Sequence, residues 1–125
     1  MPTTATPAEV ITAFSAAMHA GRVDDALSLY EPDAVFIPNP DGQPVSGREA
    51  IRATLAQFAA LKPTIIADIR KVVQAGDIAT VLNTWQLTGT APDGTPVQMG
   101  GTSADVMRRR SDGSWGMLID DPWGA

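Results

Sequence analysis

Three short turn signals constrain this chain more than any other feature. Gly76-Asp77, Pro92-Asp93-Gly94-Thr95 and Ser111-Asp112-Gly113-Ser114 punctuate residues 64–121, and the stretches between them are rich in β-branched and alternating residues. So few positions cannot carry a crossover to a parallel neighbour. Strands expected at 64–75, 78–88, 97–110 and 115–121 therefore pair as antiparallel hairpins. In 78–88, Val81, Asn83, Trp85 and Leu87 share one face, and Thr80, Leu82, Thr84 and Gln86 the other. Gly100-Gly101 interrupts the third strand and marks a bulge or close packing.

The first half reads as helical. Thr6-Pro7-Ala8-Glu9 combines a capping residue, a proline suited to the first helical position and the glutamate of a capping box. Val10, Ile11, Phe14, Ala17 and Met18 then fall on one face, and Gly21 stops the helix. His19, at its end, reads as a cation favoured by the helix dipole. A second helix is expected over 23–30, with Ala26, Leu27 and Tyr30 as its apolar side and Pro32 as its terminator. A short strand follows at 34–37, then a turn-rich rim at 38–42. Ser46-Gly47-Arg48-Glu49 reads as a second capping box, opening a third helix over 47–61 with Ile51, Leu55 and Phe58 inward. Helices on one face of an antiparallel sheet make an α+β domain, expected over residues 6–125 behind a flexible 1–5.

Composition removes several kinds of chemistry. The chain has 125 residues, a net charge of -5, no Cys and one His. Thiol nucleophiles, disulfides and thiolate metal sites are excluded, and neither a metal nor a cofactor is expected. The arginines of Arg108-Arg109-Arg110 splay to alternate faces of a strand, so nucleic-acid binding is not expected. No apolar run is long enough for a membrane span and no signal-peptide pattern is present, so the expected location is cytoplasmic.

What remains is a set of carboxylates among apolar residues. Asp105 lies between Ala104 and Val106, and Asp120-Asp121 follow Met117-Leu118-Ile119. An ionised carboxylate in such a setting is costly unless it is paired or solvated. Asp105 is therefore either ion-paired, to Arg70, Arg48 or an arginine of 108–110, or part of a pocket.

Over nearly its whole length the chain resembles the nuclear transport factor 2-like superfamily, the SnoaL-like and ketosteroid isomerase-like domains. The resemblance rests on AFSAAMHAGRVDDALSLYEPDAVFIPNP, VSGREAIRATLAQF and SADVMRRRSDGSWGMLIDDPWG. It is closest to the small SgcJ/EcaC-type proteins. It implies a conical half-barrel of curved, mostly antiparallel sheet, with three N-terminal helices on its concave face. A pocket for a small apolar molecule would lie between them, and homodimers would form through the outer sheet face.

Residue by residue, the resemblance to ketosteroid isomerases is mixed. Asp105 in ADVMR matches their oxyanion-stabilising aspartate. Phe14 stands where a helix-one tyrosine would be, and the base would fall at Pro38 or Asn39, neither of which accepts a proton at neutral pH. That mechanism is not expected. Asp120 or Asp121 is left to supply a base, and alternation lets only one of them face the cavity. The expected acid/base residues are thus Asp105, Asp120 and Asp121, walled by Phe14, Met18, Tyr30, Phe36, Leu55, Phe58, Trp85 and Met107. Two readings follow: an isomerase- or cyclase-type enzyme moving protons on an apolar carbonyl compound, or a non-catalytic ligand-binding or dimerisation module.

Overall fold

The computed structural model describes residues 4–125. Helix α1 spans Pro7–His19, α2 Val23–Ser28 and α3 Arg48–Ala59; strands are β1 Tyr30–Phe36, β2 Val45–Ser46, β3 Thr64–Ala75, β4 Ile78–Thr90, β5 Pro96–Arg109 and β6 Trp115–Asp120. They form one curved, unclosed sheet in the order β2-β1-β6-β5-β4-β3. The hairpins expected from the turns are present, and β3 through β6 run antiparallel. Only β1 lies parallel to its neighbour, β6, which sits between β1 and β5.

Local chemistry explains most boundaries. The Glu9 N–H donates to Thr6 Oγ1 at 3.3 Å, so Thr6 caps α1 as expected. The Glu9 carboxylate accepts the Thr6 hydroxyl at 3.2 Å and the Ala5 N–H at 3.3 Å, in place of the Thr6 N–H that would close a capping box. At the other end of α1, Gly21 takes φ +73 while the Arg22 and Gly21 N–H groups close back onto Ala17 and Met18. His19 Nδ1 lies 3.1 Å from the Pro63 carbonyl, so the ring ties α1 to the α3–β3 connection.

Four sequence expectations need correction. Helix α2 stops at Ser28, and Tyr30 opens β1 rather than completing a helical face. Pro32 lies within β1, where the register to β6 slips between Tyr30 and Val35. Ser46 does not cap α3; it pairs with Val35 in β2, and Gly47 at φ +89 precedes the helix without a side-chain cap. Finally, Thr4 is buried and its carbonyl and hydroxyl hold Trp115, so the expected flexible stretch does not reach that residue; residues 1–3 of it lie outside the described residues.

The core fills the space between α1, α3 and the concave face of the sheet. Val10, Met18, Leu55, Val81, Met107 and Met117 are all buried there. Among the described residues no helix is long and apolar enough to cross a membrane.

Candidate functional site

Inward-facing residues of β4 and β5 are set by register. Val81 faces Asp105, Asn83 faces Ser103 and Trp85 faces Gly101 across an unbroken antiparallel ladder. All but Gly101 are buried. Gly100-Gly101 thus marks close packing and not a bulge. A Cβ at Gly101 would come within 3.3 Å of the Trp123 ring, which packs edge-on against Trp85 at 5.1 Å. The Trp85 indole N–H donates to the Pro122 carbonyl at 2.8 Å, holding the segment after β6 over this end of the sheet.

Strand β6 contains the decisive irregularity. Met107 pairs with Met117, but Val106 pairs with Ile119, leaving Leu118 as an extra residue. Plain alternation from the inward Met117 would turn Asp121 toward the cavity. The bulge at Leu118 reverses the phase, so Asp120 points in and is only 7% exposed. Asp121 turns away, its carboxylate accepting the Trp123 N–H at 3.3 Å.

These elements enclose a cavity of about 90 Å³. Ile11, Phe14, Ser15 and Met18 of α1 and Phe58 of α3 form one side; Phe36, Asn83, Trp85, Ser103, Asp105, Met117, Asp120 and Trp123 are among the residues on the other. Of the expected site residues, Phe14, Met18, Phe36, Phe58, Trp85, Asp105 and Asp120 meet at this cavity. Asp121 does not line it. Tyr30, Leu55 and Met107 are fully buried behind the wall, each packed into the core by its neighbours on the same face.

Asp105, 2% exposed, turns inward and pairs with no arginine. Arg108 and Arg110 hold Glu31, Arg109 holds Asp77 and Arg70 holds Asp68. Asp105 Oδ1 instead accepts the Asp121 backbone N–H at 2.9 Å. Burial pushes its carboxyl up to about 6, against the pull of that N–H, of Ser103 and of a hydrogen bond from Asp120. Burial and then the charge of Asp105 push Asp120 well above the usual carboxylate range. The Tyr30 hydroxyl donates to Asp120 Oδ2 at 2.5 Å, and burial followed by the Asp120 charge raises the phenol well above its ordinary value.

Near neutral pH the arrangement is a neutral acid, Asp120, donating to a carboxylate, Asp105, with a tyrosine behind the acid. Tyr30, expected as a wall residue, instead stands behind the wall as the partner of Asp120, because it opens β1 and does not continue the helical spacing of Ala26 and Leu27. Trp123 and Asn83, which line the cavity, are not among the expected walls. Trp123 Nε1 is the one buried side-chain N or O atom among the described residues without a hydrogen-bond partner. No group of three or more His, Asp or Glu side chains among the described residues is arranged to hold a metal ion.

A family model described as a SnoaL-like domain matches residues 11–115. Among solved structures, a protein from Xanthomonas campestris provisionally assigned as a calcium/calmodulin dependent protein kinase II association domain is similar. Its TM-score is 0.77 at 22% identity, over 97% of this chain and 92% of that one. A nuclear transport factor 2-like superfamily protein from Salmonella enterica gives 0.78 at 18% identity, covering 90% and 84%. A protein from Novosphingobium aromaticivorans provisionally assigned as a scytalone dehydratase gives 0.79 at 14% identity, covering 90% and 77%. At these identities the likeness is one of fold. No protein of curated function matches the chain in sequence.

Proposed function

The chain belongs to the SnoaL-like domain family, and from that premise we propose that it binds a small apolar carbonyl compound and moves protons on it with Asp105 and Asp120. Within the family we place it nearest the SgcJ/EcaC-type proteins, on the sequence stretches quoted above. One observation carries the functional reading: two buried carboxyl groups, paired with no cation among the described residues, line a largely apolar cavity and share a hydrogen bond.

In this reading Asp105 is the base. It takes a proton from the carbon beside the carbonyl, while Asp120 gives its proton to the carbonyl oxygen. Asp105 is then neutral and Asp120 ionised, and the Tyr30 hydroxyl, already pointed at Asp120 Oδ2, steadies the charge left there. Returning one proton to carbon and the other to Asp120 completes an isomerisation or exchange, with both carboxyls restored. The test is deuterium exchange into the α-positions of small ketones in D2O, followed by proton NMR. Exchange with the wild type and its loss with Asp105→Asn is the expected result. Binding without exchange in either protein would overturn the catalytic reading and leave a ligand-binding module.

The outer sheet face favours a second element of the reading. Ile66, Val73, Ile78 and Ile119 are all more than a third exposed there, at 62%, 51%, 39% and 37%. We propose that a second copy of the chain covers this face in a homodimer.

A further inference from the structure

Asn83 carries an unused donor. The residue is 4% exposed and lines the cavity on the inner face of β4. Its Oδ1 accepts the Asp68 backbone N–H at 2.9 Å, beside the place where Arg70 bulges out of the β3–β4 ladder. That bond settles which end of the amide is which: only the oxygen can accept from an N–H. Nδ2 is therefore turned the other way, and among the described residues it has no acceptor. It is not a sealed polar atom either, since Trp123 Nε1 alone has that standing. Its N–H groups border the open space of the cavity.

The place of this donor bears on what the cavity holds. Asn83 faces Ser103 and Val81 faces Asp105, so Asn83 and Asp105 are diagonal neighbours on the inner face. Such diagonals lie about 7–8 Å apart between backbones. Ser103 bonds the backbone of Asn83 and not its side chain: the hydroxyl donates to the Asn83 main-chain carbonyl at 3.3 Å, and Nδ2 makes no hydrogen bond to it. A ligand whose carbonyl sits at Asp105 and Asp120 thus reaches Asn83 with its far end. An apolar far end would bury those N–H groups unpaired, whereas an acceptor oxygen would satisfy them.

We propose that Asn83 is the specificity-determining residue of the cavity, selecting compact apolar molecules with a second acceptor oxygen, such as a diketone, over simple ketones. This rests on the acid–base reading above for the placement of the first carbonyl. Asn83 touches the far oxygen and takes no part in proton transfer.

The experiment compares cyclohexane-1,4-dione with cyclohexanone, two rings of similar size that differ in the far oxygen. Binding to wild type is followed through the Asn83 side-chain NH2 signals and the Asp105 carboxyl carbon by NMR. The expected result is that the dione moves both signals and binds about tenfold more tightly. Asn83→Leu should bring that ratio to about one. Should both compounds bind alike, moving Asp105 and leaving the Asn83 signals in place, the inference is overturned and the acid–base reading stands. Should neither compound move Asp105, Asp120 or Asn83, the acid–base reading fails and the inference goes with it. The wild-type titration decides the matter even if the leucine variant does not fold.

Discussion

The Tyr30 hydroxyl and Asp120 Oδ2 meet at 2.5 Å, joining β1 to β6 through side chains where the two strands run parallel. The bond is buried, so it has both a stability and an ionisation consequence. Tyr30→Phe removes the contact that pulls the Asp120 carboxyl down. Asp120 should then titrate at still higher pH, seen in its carboxyl carbon shift, and urea unfolding should show a loss of about 1–3 kcal/mol. An unchanged Asp120 titration would mean that the bond does not form in solution.

Stability should fall as pH rises through the weakly acidic range. Asp105 holds its proton to about 6 in the folded state, whereas an unfolded aspartate releases it near 3.9. Between these values the folded state binds more protons than the unfolded one, so raising the pH favours unfolding. The loss is about 3 kcal/mol once pH has passed 6, and Asp120, pushed higher, continues the decline. Exposed Asp33 and Asp93, held down by Arg108 and by Thr95, act in the opposite sense at lower pH. Urea midpoints at about pH 4.5 and about pH 7 should therefore favour the former, and Asp105→Asn should shrink the difference while Asp120 keeps part of it. A wild type more stable at neutrality would sink the buried-acid account.

Gly116→Ala should disturb the ion pairs that pack over β6. A Cβ there would lie 2.6 Å from both Arg110 Nη2 and Glu31 Oε2. Glu31 is buried and held between Arg108 and Arg110 at 3.0 and 2.7 Å. Moving the arginine aside leaves a buried carboxylate short of one partner, at a cost of roughly 1–3 kcal/mol in urea unfolding. The acid pair at Asp105 and Asp120 should titrate as before. A fully stable variant would show that the pair shifts without penalty.

Val73→Lys tests the proposed dimer. The side chain is half exposed on the outer face, opposite Thr80, so the substitution leaves the fold of one copy intact. Sedimentation should give twice the chain mass of 13.1 kDa for wild type and the single mass for the variant. Equal masses for both would remove this face from the interface.

The late strands were legible because each hairpin carries its own turn residues, and Asp105 stood out because its neighbours are apolar. What could not be read depends on partners distant in sequence. Tyr30 keeps helical spacing to Ala26 and Leu27, and only pairing with Met117 makes it strand. The choice between Asp120 and Asp121 turns on the bulge at Leu118, which no glycine announces in Met-Leu-Ile-Asp. Alternation puts Asn83 on one strand face with Val81, Trp85 and Leu87, and the structure turns that face inward. Its free donor is visible only once the Asp68 amide has claimed its oxygen.

The position of β6 decides when the buried acid pair can form. This strand is made after the other five yet lies between β1 and β5 in the sheet. It carries Asp120, which joins Asp105 to Tyr30. A growing chain can thus assemble helices, hairpins and most of the cavity wall while lacking the acid. Non-local pairing of this kind is slow to form, and chains are translated from the N-terminal side first. Under the proposed function, shelter for a guest and the means to change it would arrive at separate moments in the life of each molecule, and a chain cut short before Trp115 would keep at most the first.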